Sequence, residues 1–118
     1  LRGALDGVWK PIKAEMAGRA LDVATMKDFR LEVSGDAFTV IDRSKREAGR
    51  FVSIGGEPAG LDVISESGPN RGQVLPAIFR RTVTSLQLCY DLSGNARPTE
   101  FRTQTGTQLF CILYSSER

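Results

Sequence analysis

Phe79-Arg80-Arg81-Thr82-Val83-Thr84-Ser85-Leu86-Gln87-Leu88-Cys89-Tyr90-Asp91-Leu92 is two apolar runs meeting across a short polar turn. With the turn centred on Thr82 and Val83, Phe79 faces Leu86 and Ala77 faces Leu88. Leu75, Ala77, Phe79, Leu86, Leu88 and Tyr90 then share one side of a hairpin. A lone hairpin is marginal in water, so a face this apolar predicts further strands of the same kind curving around a common interior.

The chain upstream supplies them. Ser67-Gly68-Pro69-Asn70-Arg71-Gly72 is a turn leading through Val74 into the hairpin, and before it Leu61-Asp62-Val63-Ile64-Ser65 sets Leu61 and Val63 on one parity. Gly55-Gly56-Glu57-Pro58 separates that strand from Gly49-Arg50-Phe51-Val52-Ser53-Ile54, whose inward residue is Phe51. Arg43-Ser44-Lys45-Arg46 is a basic turn. Phe29-Arg30-Leu31-Glu32-Val33 alternates, and Gly35-Asp36 suits a two-residue hairpin before Phe38-Thr39-Val40-Ile41. Pairing across that turn sets Val33 against Phe38 and Leu31 against Val40, with Phe29 on the same face.

At the start, Asp6 to Met16 reads as an extended segment ended by Ala17-Gly18-Arg19. Leu21 to Met26 offers a short helical turn, with Asp22 capping the free amides and Leu21 and Met26 at the staple positions, placed to cover one end of a barrel. Downstream, residues 93–106 form the longest connection, and Gln108 to Tyr114 is a last strand apolar on both faces. Eight candidate strands joined mostly by short turns predict an all-β fold: an eight-stranded up-and-down antiparallel β-barrel, with one short helical turn after the first strand.

Composition sets the outer bounds. A chain of 118 residues fits one domain, residues 1–118, with a core of its own. Hydrophobic residues at 41% and charged residues at 25% match an ordinary globular protein. A net charge of +2 with both signs scattered gives no strong reason to expect nucleic acid or an anionic membrane surface, and the apolar runs are strand-length, so no membrane span is expected. Leu1 in place of Met predicts a processed form or part of something longer. With no histidine, a His-based metal site and a Ser-His or Cys-His pair are excluded. No metal and no cofactor are expected. Neither compartment, protein partner nor homo-oligomer follows from the residues.

Gly7-Val8-Trp9 resembles the Gly-x-Trp opening of the lipocalin and fatty-acid-binding, or calycin, superfamily. Gly35 to Val40, Gly68 to Gly72, Leu86 to Tyr90 and above all Arg97-Pro98-Thr99-Glu100-Phe101 follow in an order that resembles the small bacterial lipocalin-like domain common in planctomycetes. The resemblance runs from about Leu5 to Tyr114. It implies an eight-stranded barrel and a bacterial source, and brings no assigned ligand or catalytic residue. Relatives tend to end on a short basic segment, where this chain has Ser115-Ser116-Glu117-Arg118. The lipocalin habit of laying a late arginine over the opening tryptophan therefore falls to Arg118.

The candidate site is the barrel interior and its rim: Phe29, Leu31, Phe38, Val40, Phe51, Phe79, Leu88, Tyr90 and Arg97. Val33, Leu61, Val63, Leu75, Ala77 and Leu86 complete the inward set, which either lines a pocket for one small hydrophobic ligand or fills the space. Tyr90 carries a polar handle; contact with a backbone carbonyl or water is favoured over orienting a ligand. Arg97 either clasps Glu100 across the long loop, the favoured reading, or meets a ligand carboxylate. Trp9 is read as a plug rather than a stacking platform.

Cys89 and Cys111 fall on neighbouring strands and are read as free thiols, because direct cross-strand bridging demands restrictive geometry. Arg43, Lys45, Arg46 and Arg50, with Arg80 and Arg81, are read as solvated hairpin tips rather than an anion site. Lys13 and Glu15 share the parity of Trp9 unless a bulge near Pro11 reverses it. No spacing selects paired acids, an activated nucleophile or a phosphate loop, so no enzyme is expected. The expected function is non-enzymatic binding of one small hydrophobic ligand. The alternative is a filled-core interaction or structural module of a larger bacterial protein.

Overall fold

Alternation becomes a closed wall in the computed structural model, which describes residues 3–117. The strands are β1 (Gly7–Met16), β2 (Arg19–Leu21), β3 (Phe29–Ser34), β4 (Ala37–Asp42), β5 (Lys45–Gly55), β6 (Gly60–Ser65), β7 (Val74–Arg81), β8 (Ser85–Asp91) and β9 (Leu109–Ser116). From β3 to β9 each pairs antiparallel with the next, and β1 joins β3 to β9, closing an eight-stranded barrel. The short β2 lies outside that count; it pairs with Ala14 to Met16 of β1, beyond the stretch that β3 covers. No helix among the described residues is long and apolar enough to cross a membrane.

Gly35, with φ 67°, and Asp36 make the two-residue turn between β3 and β4, and the register is the expected one, Val33 to Phe38 and Leu31 to Val40. All fourteen residues of the inward set lie in the interior, nine of them buried and Phe29, Val40, Val63, Phe79 and Tyr90 partly buried and packed against the core. Burial of each such leucine or phenylalanine contributes about 1.5–3 kcal/mol. The opening hairpin differs in detail: Phe79 pairs with Leu88 and Ala77 with Tyr90, two residues from the expected register. Thr82 is the reason. Its amide donates to the Ser85 carbonyl and its hydroxyl accepts the Ser85 amide, which centres the turn on Val83 and Thr84. A shift of two keeps every side chain on its face, so the core is unaffected.

β5 starts at Lys45, four residues before its expected start at Gly49, because Arg43, at φ 60°, and Ser44 suffice for the turn. In β1 a bulge between Pro11 and Lys13 reverses the parity: Trp9 and Ala14 are buried, while Lys13 is exposed and Glu15 faces outward. The helical turn spans Val23–Met26 with the Asp22 side chain accepting from the Ala24 amide. Val23 and Met26 pack on the core where β1 and β2 hand over to β3, while Leu21 is exposed, so the expected Leu21–Met26 staple is not formed.

The long connection covers the outside of the wall. Ile78, Cys89 and Cys111 face away from the interior yet are buried, with Phe101 packed over them. Arg80 lies 4.6 Å from the Phe101 ring centroid. Cys89 and Cys111 pair directly across β8 and β9 and are joined as a disulfide, which corrects the expectation of free thiols. Asp91 starts the connection by accepting the Ser93 amide (2.9 Å), the Ser93 hydroxyl (2.6 Å) and the Ala96 amide (3.1 Å). Thr103 ends it against the β1–β2 turn: its amide donates to Glu15 Oε1 and its hydroxyl accepts the Gly18 amide.

Candidate functional site

One end of the barrel is shut and the other is hollow. At the shut end Trp9 is 1% exposed, its indole Nε1 donates to the Leu5 carbonyl at 2.9 Å, and Arg81 lies 5.0 Å from the ring centroid. Arg118, the arginine expected over Trp9, lies outside the described residues; Arg81 covers the ring, from β7.

Toward the other end the side chains part around a cavity of about 270 Å³. β3 contributes Phe29 and Leu31, β4 contributes Phe38 and Val40, and Phe51 comes from β5, its ring stacked on Phe38 with centroids 4.7 Å apart. Val63 and Leu75 continue the wall, followed by Leu88 and Tyr90 of β8 and Tyr114 of β9. Glu47 and Ser65 reach it from the strand ends, and Asn70 from the turn after β6.

The polar atoms in this space are few. Among the described residues neither the Tyr90 nor the Tyr114 hydroxyl has a hydrogen-bond partner in the protein, and no enclosed side-chain oxygen or nitrogen is left without one. The two hydroxyls are therefore not sealed off, and both tyrosines line the cavity. Burial pushes the Tyr90 phenol up to about 12, and burial, then proximity to Tyr90, raises Tyr114 well above the usual range. Both stay protonated at neutral pH and can donate or accept. Of the favoured partners for Tyr90, a backbone carbonyl or water, no carbonyl among the described residues is bonded to its hydroxyl.

Seven of the nine expected site residues line the cavity. Phe79 packs in the core without lining it, and Arg97 is elsewhere altogether. Its guanidinium donates to the carbonyls of Leu61 (2.8 Å) and Ala77 (3.0 Å) and to Asp62 Oδ1 (2.7 Å). Asp62 alternates with the inward Leu61 and Val63, so Arg97 is held on the outer face of β6. Glu100 pairs with Arg102, so the expected Arg97–Glu100 clasp is absent. The basic patch is also divided: Arg43 pairs with Asp28, Arg50 with Glu66, and Arg80 and Arg81 cover aromatic rings.

No family model, curated protein or solved structure matches this chain. The site therefore rests on its own geometry.

Sequence reading missed Glu47 and Tyr114 as lining residues. Glu47 has the parity of Phe51, a signal hidden by reading residues 43–46 as turn and Gly49 as the strand start. Tyr114 stands in a strand apolar on both faces, where alternation selects no side. A larger concavity of about 500 Å³ lies outside the barrel, walled among the described residues by the 91–109 segment. It collects none of the inward aromatic residues. Among the described residues no group of three or more His, Cys, Asp or Glu is placed to hold a metal.

Proposed function

We propose that this chain is a non-enzymatic, lipocalin-like barrel of the small bacterial type, which holds one small hydrophobic molecule inside. The cavity of about 270 Å³, largely apolar in its walls and lined by two tyrosines whose hydroxyls have no protein partner among the described residues, carries this reading. A filled core would leave no such space, so the cavity supports a binder over a structural module.

Affinity would come from apolar contact with Phe29, Phe38, Phe51 and Leu88. Hiding ~200 Å² of ligand at ~25 cal/mol per Å² offers about 5 kcal/mol before entropic losses. The space is already open, so little of that is spent rearranging the wall. The family assignment is supported by the Gly7-Val8-Trp9 opening, by Arg97 to Phe101, and by a barrel of the implied strand number.

The test is a titration with the dye ANS and with straight-chain lipophiles, followed by calorimetry and dye displacement. Saturable one-to-one binding is expected, and Val40→Phe, which projects a ring into the cavity, is expected to abolish it without unfolding the barrel. Absence of saturable binding across the panel would overturn the proposal.

A further inference from the structure

Among the described residues the cavity has one charged side chain on its lining, the acidic Glu47. Glu47 stands on β5 with the parity of Phe51, opposite Val40, and its carboxylate lies against Gly68 in the turn that frames the mouth. Among the described residues it makes no ion pair and accepts no hydrogen bond.

The basic groups nearby are otherwise placed. Arg50 is engaged by Glu66, Arg43 by Asp28, and Arg97 is held on the outer face by Asp62. Lys45 shares the parity of Glu47 but is exposed and does not line the cavity. Among the described residues, an anionic head group entering here would meet an unpaired carboxylate and no cation on the wall, although the chain carries a net charge of +2.

Resting on the interior-pocket reading, we propose that the ligand is a small amphiphilic amine. Its hydrocarbon part lies between Phe38, Phe51 and Leu88, and its ammonium group pairs with Glu47 at the mouth. The phenol oxygens of Tyr90 and Tyr114 serve as further acceptors for ammonium hydrogens or bond a second polar atom of the ligand. A charge-assisted bond at a half-sheltered carboxylate favours the cation, and the same carboxylate repels a fatty acid.

The experiment compares octylamine, 1-octanol and octanoate, which share a tail and differ in head group, by calorimetry at pH 7 and low ionic strength. Octylamine is expected to bind about tenfold tighter than octanol, and octanoate about tenfold weaker than octanol. Glu47→Gln keeps the shape of the side chain and is expected to bring octylamine within about twofold of octanol while leaving octanol unchanged. Lys45→Gln is expected to leave the ranking intact.

Octanoate binding as tightly as octylamine, or an amine preference that survives Glu47→Gln, would overturn the amine assignment and leave the pocket standing. Silence from all three compounds and from ANS would remove the pocket and this proposal together.

Discussion

Gly49 has no room for a side chain. It faces inward on β5 opposite Phe38, and a Cβ there would run into the Phe38 ring and the Ile64 carbonyl of β6. A ring lying over a glycine across the strand pair is how this sheet bends tightly while keeping an aromatic wall. It also fixes Phe38 where it stacks on Phe51. Gly49→Ala is therefore expected to destabilise the barrel by about 1–3 kcal/mol, because backbone as well as side chain must shift. Urea unfolding monitored by Trp9 fluorescence measures it; an unchanged midpoint would show that the contact relaxes freely. The same residue matters for binding, since the displaced Phe38 ring would move into the cavity.

At the scale of an element, the connection from Asp91 to Leu109 behaves as a strap on the outer wall rather than a lid over the mouth. Arg97 fastens it to β6 and β7, Phe101 covers the disulfide, and Thr103 reaches the β1–β2 turn. Its first fastening is Asp91, only 8% exposed, whose carboxyl is held below the usual carboxylate range by the Ser93 hydroxyl, against an opposing effect of burial, and by the backbone amides of Ser93 and Ala96. The sign of the pH dependence follows. The folded chain holds the Asp91 proton less tightly than the unfolded chain does, so this stabilisation is present above a pH of about 4 and is lost as pH falls through the lower folded value. Asp91→Asn is expected to lower stability at pH 7 and to flatten the acid limb of a stability–pH profile recorded by thermal unfolding between pH 2 and 7. An acid limb unchanged in the variant would show that other carboxyl groups govern it. Strap residues were legible only as a loop, because their partners Glu15, Gly18, Asp62 and Ala77 are remote in sequence.

For the whole molecule, closure rests on β1 meeting β9 along Trp9 to Met16, and the Cys89–Cys111 bridge ties β9 to β8 beside that seam. The bridge closes a segment with a sequence separation of 22, and constraint of the unfolded chain by a loop of that size is worth about 3 kcal/mol. Added reductant, or the paired change Cys89→Ala and Cys111→Ala, is expected to lower unfolding free energy by about that much in urea titrations. A thiol reagent applied to the denatured, unreduced protein should find no free thiol; two reactive thiols would refute the bridge. The sequence alone determined which face each alternating side chain takes, because in a strand that is a local property with a period of two: Phe29 to Val33, Phe38, Phe51 and the 75–90 hairpin all point where their parity says. The pairing partners were decided elsewhere. Turn geometry at Thr82 shifted a register without changing a face, and the facing of the two cysteines made a bond that their spacing did not announce. Only the tertiary structure could carry Arg97 to the outer wall, bring Tyr114 and Glu47 to the cavity, and leave that cavity open, since space inside a barrel depends on how all eight strands close at once.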